Sequence, residues 1–207
     1  KKNRKSEVVT ISGQNNRSNF FIKNNYLVID CKYKKKKIYK KINLRNFDNI
    51  VGAHNYQNLA AVYAVLFKLG FHNYKKIEKS IKTFKGLPHR LQKVREINKI
   101  KYINDSKATN LDSTQRALEC YNNIYWILGG KAKEKNLDKL KKYFSKIQHV
   151  FLIGETKKIY KSYIKNYLKH TVSKNLKDAV KSAHYLAHTE YNSNSKNPPV
   201  ILFSPAC

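Results

Sequence analysis

A short polar stretch in the middle of the chain combines an acid, a base and two hydroxyl groups. The residues are Asp105, Ser106, Lys107 and Thr109. The β-forming side chains of residues 100–103 come directly before them and predict a buried strand that ends where the polar residues begin. In α/β proteins, ligands commonly bind where a strand runs into such a loop. This stretch is therefore the first candidate for a functional site.

A helix is predicted directly after the loop, over residues 113–121, with Asp112 or Ser113 as its N-cap. The unpaired N–H groups at the start of a helix attract anions, and the nearby positive charge of Lys107 strengthens the attraction. A ligand that carries a carboxylate or a phosphate would suit this arrangement. An ordinary strand-to-helix loop with capping residues explains the same pattern, and the residues alone do not decide between the two.

The rest of the second half of the chain alternates predicted strands with predicted helices. The strands are expected at 100–104, 124–128, 149–153 and 199–203, and the helices at 113–121, 136–145, 156–167 and 175–188. Ser173 or Asn175 is expected to cap the last helix. Such alternation predicts an α/β fold, with a Rossmann-like, mostly parallel sheet and flanking helices.

Three of the predicted strands end in polar or glycine residues. These are Asn104-Asp105, Gly129-Gly130 and Ser204. Because the carboxyl ends of parallel strands lie at one edge of a sheet, residues far apart in sequence are expected to meet there. The expected set is Asp105, Lys107, Thr109, Lys133 and Ser204. Taken singly, a glycine pair, a lysine in a basic chain and a serine at a strand end are each weak signals.

The first half of the chain predicts short strands followed by two helices. The strands are expected at 8–11, 20–22, 26–30 and 37–39, with Asn24-Asn25 as a hairpin turn, and the helices at 55–69 and 73–84. Gly70 is expected to end the first helix, whose apolar stripe is Leu59, Val62, Tyr63, Leu66 and Phe67, with Ala60 and Ala61. The loop Gly86-Leu87-Pro88-His89-Arg90 then cannot continue a helix.

The composition is strongly basic, with 43 Lys and Arg against 13 Asp and Glu and a net charge of +30. This balance is typical of proteins that bind nucleic acid or an anionic membrane surface. The lysines are scattered along the chain, however, which favours a solvated surface. The clearest basic run, residues 32–41, alternates with other side chains and predicts an exposed hairpin. No nucleic-acid role is assigned to it.

The cysteines and the hydropathy point to a cytoplasmic protein. Cys31, Cys120 and Cys207 are odd in number and lack metal-ligand spacing, so thiols in a reducing compartment are expected. No apolar run approaches the roughly 20 residues that a membrane helix needs. Neither membrane insertion nor a metal site is predicted for this chain.

Several motifs resemble a known family, the D-glutamate-adding Mur ligases, or UDP-N-acetylmuramoyl-L-alanine:D-glutamate ligases. The motifs are NDSKATN with the following ST, the upstream HNYQN at 54–58 and GLPHR at 86–90, the downstream Gly129-Gly130 with Lys133, and SPAC at 204–207. They occur in the family's order, and the SKATN loop separates the D-glutamate enzymes from related ligases. Lys131 offers an alternative to Lys133, although the family spacing favours Lys133.

The resemblance implies an ATP-dependent ligase that forms an amide through an acyl phosphate, with ATP and Mg²⁺ as cofactors. It implies that Asn58, Arg90 and Asp105 serve ATP, that Thr109, Lys133 and Ser204 hold the carboxylates of D-glutamate, and that the catalytic Lys107 lies near the reacting groups. The implied partners are UDP-N-acetylmuramoyl-L-alanine and D-glutamate, and the implied state is a cytoplasmic monomer.

The family's phosphate-binding loop and metal ligands are not found in this sequence. The expectation is therefore a fragment, inactive alone, with the end of the central ATP-binding domain at 1–88 and a C-terminal ligase domain, truncated at its end, at 89–207. Two alternatives stay open. One is another ligase of the superfamily, such as a folylpolyglutamate synthase, and the other is a basic α/β module that binds nucleic acid.

Overall fold

The computed structural model describes residues 8–13, 16–33, 35–47, 49–131, 136–191 and 197–207. The chain forms two compact units, Lys1–Lys85 and Gly86–Cys207. Each unit has its own apolar core. Among the described residues, no helix is both long enough and apolar enough to cross a lipid bilayer.

The first unit contains a four-stranded sheet in the order β1-β2-β3-β4. The strands are β1 (Ile11–Ser12), β2 (Phe20–Lys23), β3 (Tyr26–Tyr33) and β4 (Lys36–Asn43). β1 and β2 are parallel, and the remaining pairs are antiparallel. Asn24 and Asn25 both have positive φ, as a tight hairpin turn requires, which confirms the predicted turn. The first predicted strand was wrong in extent, because only Ile11–Ser12 pairs with a neighbour.

Two helices follow, α1 (Ala53–Lys68) and α2 (Tyr74–Lys82). α1 buries Leu59, Ala60, Tyr63, Ala64 and Phe67. The predicted stripe was wrong at Val62, which is 47% exposed, because Ala64 rather than Val62 lies on the buried face. Gly70 follows α1 with φ +86, which confirms its predicted role at the end of the helix.

The second unit is built on a six-stranded sheet. Its strands are β5 (Gln92–Ile97), β6 (Ile100–Asn104), β7 (Ile124–Leu128), β8 (Ile147–Leu152), β9 (His170–Val172) and β10 (Val200–Phe203), in the order β5-β6-β10-β7-β8-β9. All neighbouring strands are parallel except β5 and β6. This confirms the predicted Rossmann-like, mostly parallel α/β sheet.

Helices cover both faces of this sheet. They are α3 (Leu111–Cys120), α4 (Lys157–Ile164), α5 (Leu176–Glu190) and a 3-10 helix at Asp138–Lys146 where an ordinary helix was predicted. One face packs around Trp126 of β7, and the other around alanines of α5. β7 is buried along its whole length, as expected of a central parallel strand.

Two capping predictions are settled by the structure. The predicted N-cap of α3, Asp112 or Ser113, was wrong: the side chain of Asn110 accepts a hydrogen bond from the Ser113 N–H, so the helix begins two residues earlier than predicted. Of the two candidates for α5, Asn175 is the cap, and it accepts from the N–H of Asp178. Asn forms such caps readily because its side-chain oxygen reaches the first free N–H groups of a helix.

Candidate active site

Three neighbouring parallel strands, β6, β10 and β7, bring their carboxyl ends together at one edge of the second sheet. Asp105 follows β6, Ser204 follows β10 and Gly129 follows β7. The pairing continues past the strand ends, since the Asp105 N–H donates to the Phe203 carbonyl at 2.8 Å and the Gly129 N–H donates to the Pro205 carbonyl at 3.1 Å. Topology alone therefore assembles residues that lie about a hundred positions apart.

The Asp105 carboxylate is held by donors on both of its oxygens. Oδ1 accepts from the backbone N–H of Leu91 at 3.1 Å, and Oδ2 accepts from the Ser204 hydroxyl at 3.0 Å. The residue is only 7% exposed. Burial raises the pKa of this carboxyl group, while the two hydrogen bonds and the positive charge of Arg90 act in the opposite direction.

Ser204 is fully buried and lies between two side chains. Its hydroxyl oxygen is 3.0 Å from Asp105 Oδ2 and 3.1 Å from Thr114 Oγ1. Thr114, in the first turn of α3, is also fully buried. The Ser204 carbonyl accepts a hydrogen bond from the Trp126 indole at 2.8 Å, which ties the residue to β7. The sequence predicted a role for Ser204 but none for Thr114, which appeared only in the ST that follows the NDSKATN motif.

The loop between β6 and α3 presents Lys107 and Thr109 to solvent. Ala108, between them, is buried, and its N–H donates to the Asp105 carbonyl at 2.8 Å. The Lys107 N–H donates to the His89 carbonyl at 3.1 Å. Buried contacts thus hold the loop backbone in place. The predicted site residues Lys107 and Thr109, on either side of Ala108, are exposed.

The segment that carries Arg90 lies against this loop in a constrained backbone conformation. His89 and Leu91 have φ values of +64 and +44, which residues other than glycine and asparagine rarely adopt. Asn104 Nδ2 donates to His89 Nδ1 at 3.1 Å. These contacts aim the Leu91 N–H at Asp105, while the Arg90 side chain stays exposed. Sequence reasoning found Arg90 but gave no sign of the Leu91 contact.

Close backbone approach requires glycine at position 129, directly after β7, and at position 154. A Cβ at Gly129 would lie 2.3 Å from the carbonyl oxygen of Ile153, and one at Gly154 would lie 2.6 Å from the Gly130 Cα. The Gly130 N–H donates to Thr156 Oγ1 at 3.2 Å. The backbone after β7 and the backbone after β8 therefore touch directly, which fixes the start of the segment leading to Lys131.

No position at this edge is assigned to the remaining predicted site residues. Asn58 lies exposed on α1, in the first unit. Lys131 is exposed and lies at the end of a described range, whereas Lys133 lies outside the described residues. The choice between these two lysines stays a prediction.

The described residues also offer no group of three or more His, Cys, Asp or Glu side chains that could hold a metal ion. The three cysteines form no disulfides. The Mg²⁺ that the sequence resemblance implies therefore does not fit the described part of this chain.

The family model described as "Mur ligase, glutamate ligase domain" matches residues 89–207, more than half of the chain. The chain belongs to the Mur ligase family. Curated proteins named UDP-N-acetylmuramoylalanine--D-glutamate ligase are similar to it. The protein from Paramagnetospirillum magneticum is 42% identical over 164 residues, which is 79% of this chain and 35% of that protein. The protein from Rickettsia prowazekii is 34% identical over 186 residues, 90% of this chain and 40% of that protein.

Two solved structures share the fold. UDP-N-acetylmuramate-alanine ligase MurC from Thermotoga maritima superposes with a TM-score of 0.55 at 17% identity, over 97% of this chain and 42% of that one. The bifunctional folylpolyglutamate synthase/dihydrofolate synthase from Yersinia pestis gives a TM-score of 0.56 at 15% identity, over 91% and 43%. At these identities the likeness concerns the fold alone. This Mur ligase chain spans about a third of the length of the first curated relative.

Proposed function

We propose that this chain is part of an ATP-dependent ligase that joins D-glutamate to UDP-N-acetylmuramoyl-L-alanine in peptidoglycan precursor synthesis. The observation that carries the proposal is the NDSKATN loop at the carboxyl edge of the sheet, with Asp105 held inside and Lys107 and Thr109 outside. The names of the similar curated proteins support the same acceptor. Because the chain spans about a third of the length of the first of these relatives, the activity belongs to the whole protein.

The proposed reaction proceeds in two steps. A carboxylate oxygen of UDP-N-acetylmuramoyl-L-alanine attacks the γ-phosphorus of ATP, which gives an acyl phosphate and ADP. The amine of D-glutamate then attacks the acyl carbon, and the tetrahedral intermediate loses phosphate and a proton to form the amide. Both steps build negative charge on oxygen atoms, so the enzyme needs fixed positive groups beside them.

We propose that Lys107 supplies such a positive group and is the catalytic residue. Its side chain is exposed, while its backbone is fixed by the hydrogen bond to His89 and by the buried neighbour Ala108. An ammonium group on an anchored loop can approach the acyl phosphate without a large loss of chain entropy. It would stabilise the charge on the phosphate and on the reacting carboxylate.

Asp105, Arg90 and Asn58 are proposed for ATP. The Asp105 carboxylate has acceptor capacity beyond its two internal hydrogen bonds and is suited to ribose hydroxyls. Arg90 is exposed two residues along from the Pro88 turn, and its planar guanidinium suits phosphate oxygens. Asn58 is proposed for the adenine. The phosphate-binding loop and the Mg²⁺ ligands are proposed to come from parts of the ligase that this chain does not include.

Thr109 and Lys133 are proposed for the two carboxylates of D-glutamate, whereas Ser204, for which the resemblance implies the same role, is proposed to act on the nucleotide side. Thr109 is exposed on the loop and needs no rearrangement to reach a ligand. For Ser204, direct contact would require its hydroxyl to leave Asp105 and its side chain to become accessible, since it is 0% exposed. The buried arrangement favours an effect of Ser204 on the nucleotide side of the site.

Replacing Ser204 separates these two roles. In the complete gene product, Ser204→Ala is expected to raise the KM for ATP by about fivefold, because a buried hydrogen bond to a charged group contributes about 1 kcal/mol or more. The KM for D-glutamate should stay within about twofold of wild type, as an uninvolved group would leave it. Steady-state kinetics with each substrate varied in turn measures both. A rise confined to D-glutamate would instead support direct contact.

The residues 89–207 are proposed as the C-terminal ligase domain and residues 1–88 as the end of the central ATP-binding domain. The ligase is proposed to act in the cytoplasm, where its nucleotide-linked substrates are water-soluble.

The experiment that tests the function follows phosphate release by the complete gene product with ATP, Mg²⁺ and UDP-N-acetylmuramoyl-L-alanine. Release is expected only when D-glutamate is added. Release that depends instead on a folate acceptor and glutamate would overturn the assignment in favour of a folylpolyglutamate synthase.

A further inference from the structure

A chain of buried hydroxyl groups leads from α3 to the Asp105 carboxylate. Thr114 and Ser204 are both 0% exposed, and their side-chain oxygens lie 3.1 Å apart. Ser204 in turn lies 3.0 Å from Asp105 Oδ2. The proposed chemistry gives Thr114 no role, although its hydroxyl group is linked through Ser204 to the site residue Asp105.

The direction of these hydrogen bonds follows from the number of protons available. Ser204 has one hydroxyl proton, and an ionised carboxylate is the stronger of its two possible acceptors. Ser204 therefore donates to Asp105, and Thr114 donates to Ser204. Consecutive hydrogen bonds of this kind polarise one another, so the Thr114 hydroxyl strengthens the hold of Ser204 on Asp105.

The same contacts close the ends of the loop that carries Lys107. Asp105 opens this loop, and Thr114 stands in the first turn of the helix that follows it. Both ends are joined to one side chain, Ser204, which directly follows another strand, β10. The loop is thus pinned from both ends at a point that is fully buried.

We propose that Thr114 is a positioning residue of the active site, which orients Ser204 and through it holds Asp105 ready for the nucleotide. This inference rests on the proposed role of Asp105 in ATP binding. Thr114 does not touch substrate. Loss of the Thr114 hydroxyl is expected to affect nucleotide affinity most. It is expected to affect turnover less, because the loop that carries Lys107 shares the anchor at Ser204.

The test uses the complete gene product with Thr114→Val, which keeps the shape and removes the hydroxyl, and Thr114→Ser, which keeps the hydroxyl. Thr189→Val is the matched control, since Thr189 also lies in a helix but is exposed and donates only to carbonyls of its own helix. Thr114→Ala replaces the valine variant if valine prevents folding. Titration calorimetry with ADP measures affinity, and the KM values for ATP and D-glutamate are measured alongside.

Thr114→Val is expected to weaken ADP binding and raise the KM for ATP by roughly fivefold, the effect of losing about 1 kcal/mol of hydrogen bonding. The KM for D-glutamate should change little, Thr114→Ser should bind ADP almost as wild type, and Thr189→Val should match wild type. Valine and wild-type proteins with equal ADP affinity would overturn the inference alone. So would a serine variant as weak as the valine variant, because the methyl group would then be what matters. A wild-type protein that binds no ADP would overturn the proposed function as well.

Discussion

The complete ligase carrying Lys107→Ala is expected to turn over about 10²–10³-fold more slowly than wild type, the usual cost of removing one group that stabilises transition-state charge. The reason is the exposed ammonium group on a backbone that His89 and Ala108 hold in place. The KM for ATP should change much less than kcat, because the lysine is proposed to act on charge that develops during the reaction. Initial rates of phosphate release at saturating substrates measure the effect.

A matched control is Lys181→Ala, which removes an exposed lysine from α5. In a chain with a net charge of +30, it shows whether the general loss of one positive charge affects the rate. We expect Lys181→Ala to retain wild-type kcat, as an exposed charge away from the site should. If Lys107→Ala kept a kcat within about threefold of wild type, the loss of stabilisation would be under 1 kcal/mol and the catalytic role of Lys107 would be wrong.

Gly129→Ala is expected to lower the free energy of unfolding of the second unit by about 2–5 kcal/mol, the sum of left-handed strain and overpacking. The new Cβ would lie 2.3 Å from the Ile153 carbonyl oxygen at a φ of +114. The backbones after β7 and β8 would have to separate, which also displaces the segment leading to Lys131. Urea unfolding followed by the fluorescence of Trp126, the single tryptophan and fully buried in β7, reports on this unit.

Gly70→Ala isolates the steric part of this effect. Gly70 also has a positive φ, of +86, but a Cβ there meets no atom within 4 Å. Gly70→Ala should lower the free energy of unfolding by only about 1 kcal/mol, from backbone strain. Because Gly70 lies in the first unit, its unfolding is followed by circular dichroism. Equal losses for the two substitutions would show that the close approach at Gly129 carries no extra strain.

The central strands of the second unit were predictable because they are buried on both sides. Runs such as Ile124–Leu128 consist of apolar residues without alternation and can hardly be anything else. The edge strands β5 and β9 were missed because their side chains are mostly exposed and leave no hydrophobic pattern. The 3-10 helix at Asp138–Lys146 was read as an α-helix, since its few buried residues, Leu140 and Tyr143, fit that period too.

The candidate site was predictable as far as strand order and loop chemistry reach. Asp105, Ser204 and Gly129 meet at one edge because parallel neighbouring strands end there. The contacts of Asp105 with the Leu91 N–H, and of Ser204 with Thr114, span 14 and 90 positions of sequence and depend on packing. No local pattern marks them. The full burial of Ser204 was likewise beyond the sequence, because a serine at a strand end is usually accessible.

The identity of the product tests the proposed ligase activity most directly. The complete gene product is incubated with ATP, Mg²⁺, UDP-N-acetylmuramoyl-L-alanine and a mixture of isotopically distinguishable D-glutamate and L-glutamate. Mass spectrometry then reads which acceptor has been joined. We expect a product extended by one D-glutamate, formed together with ADP and phosphate. A product that carries L-glutamate, or no amide product while ATP is hydrolysed, would contradict the proposed activity.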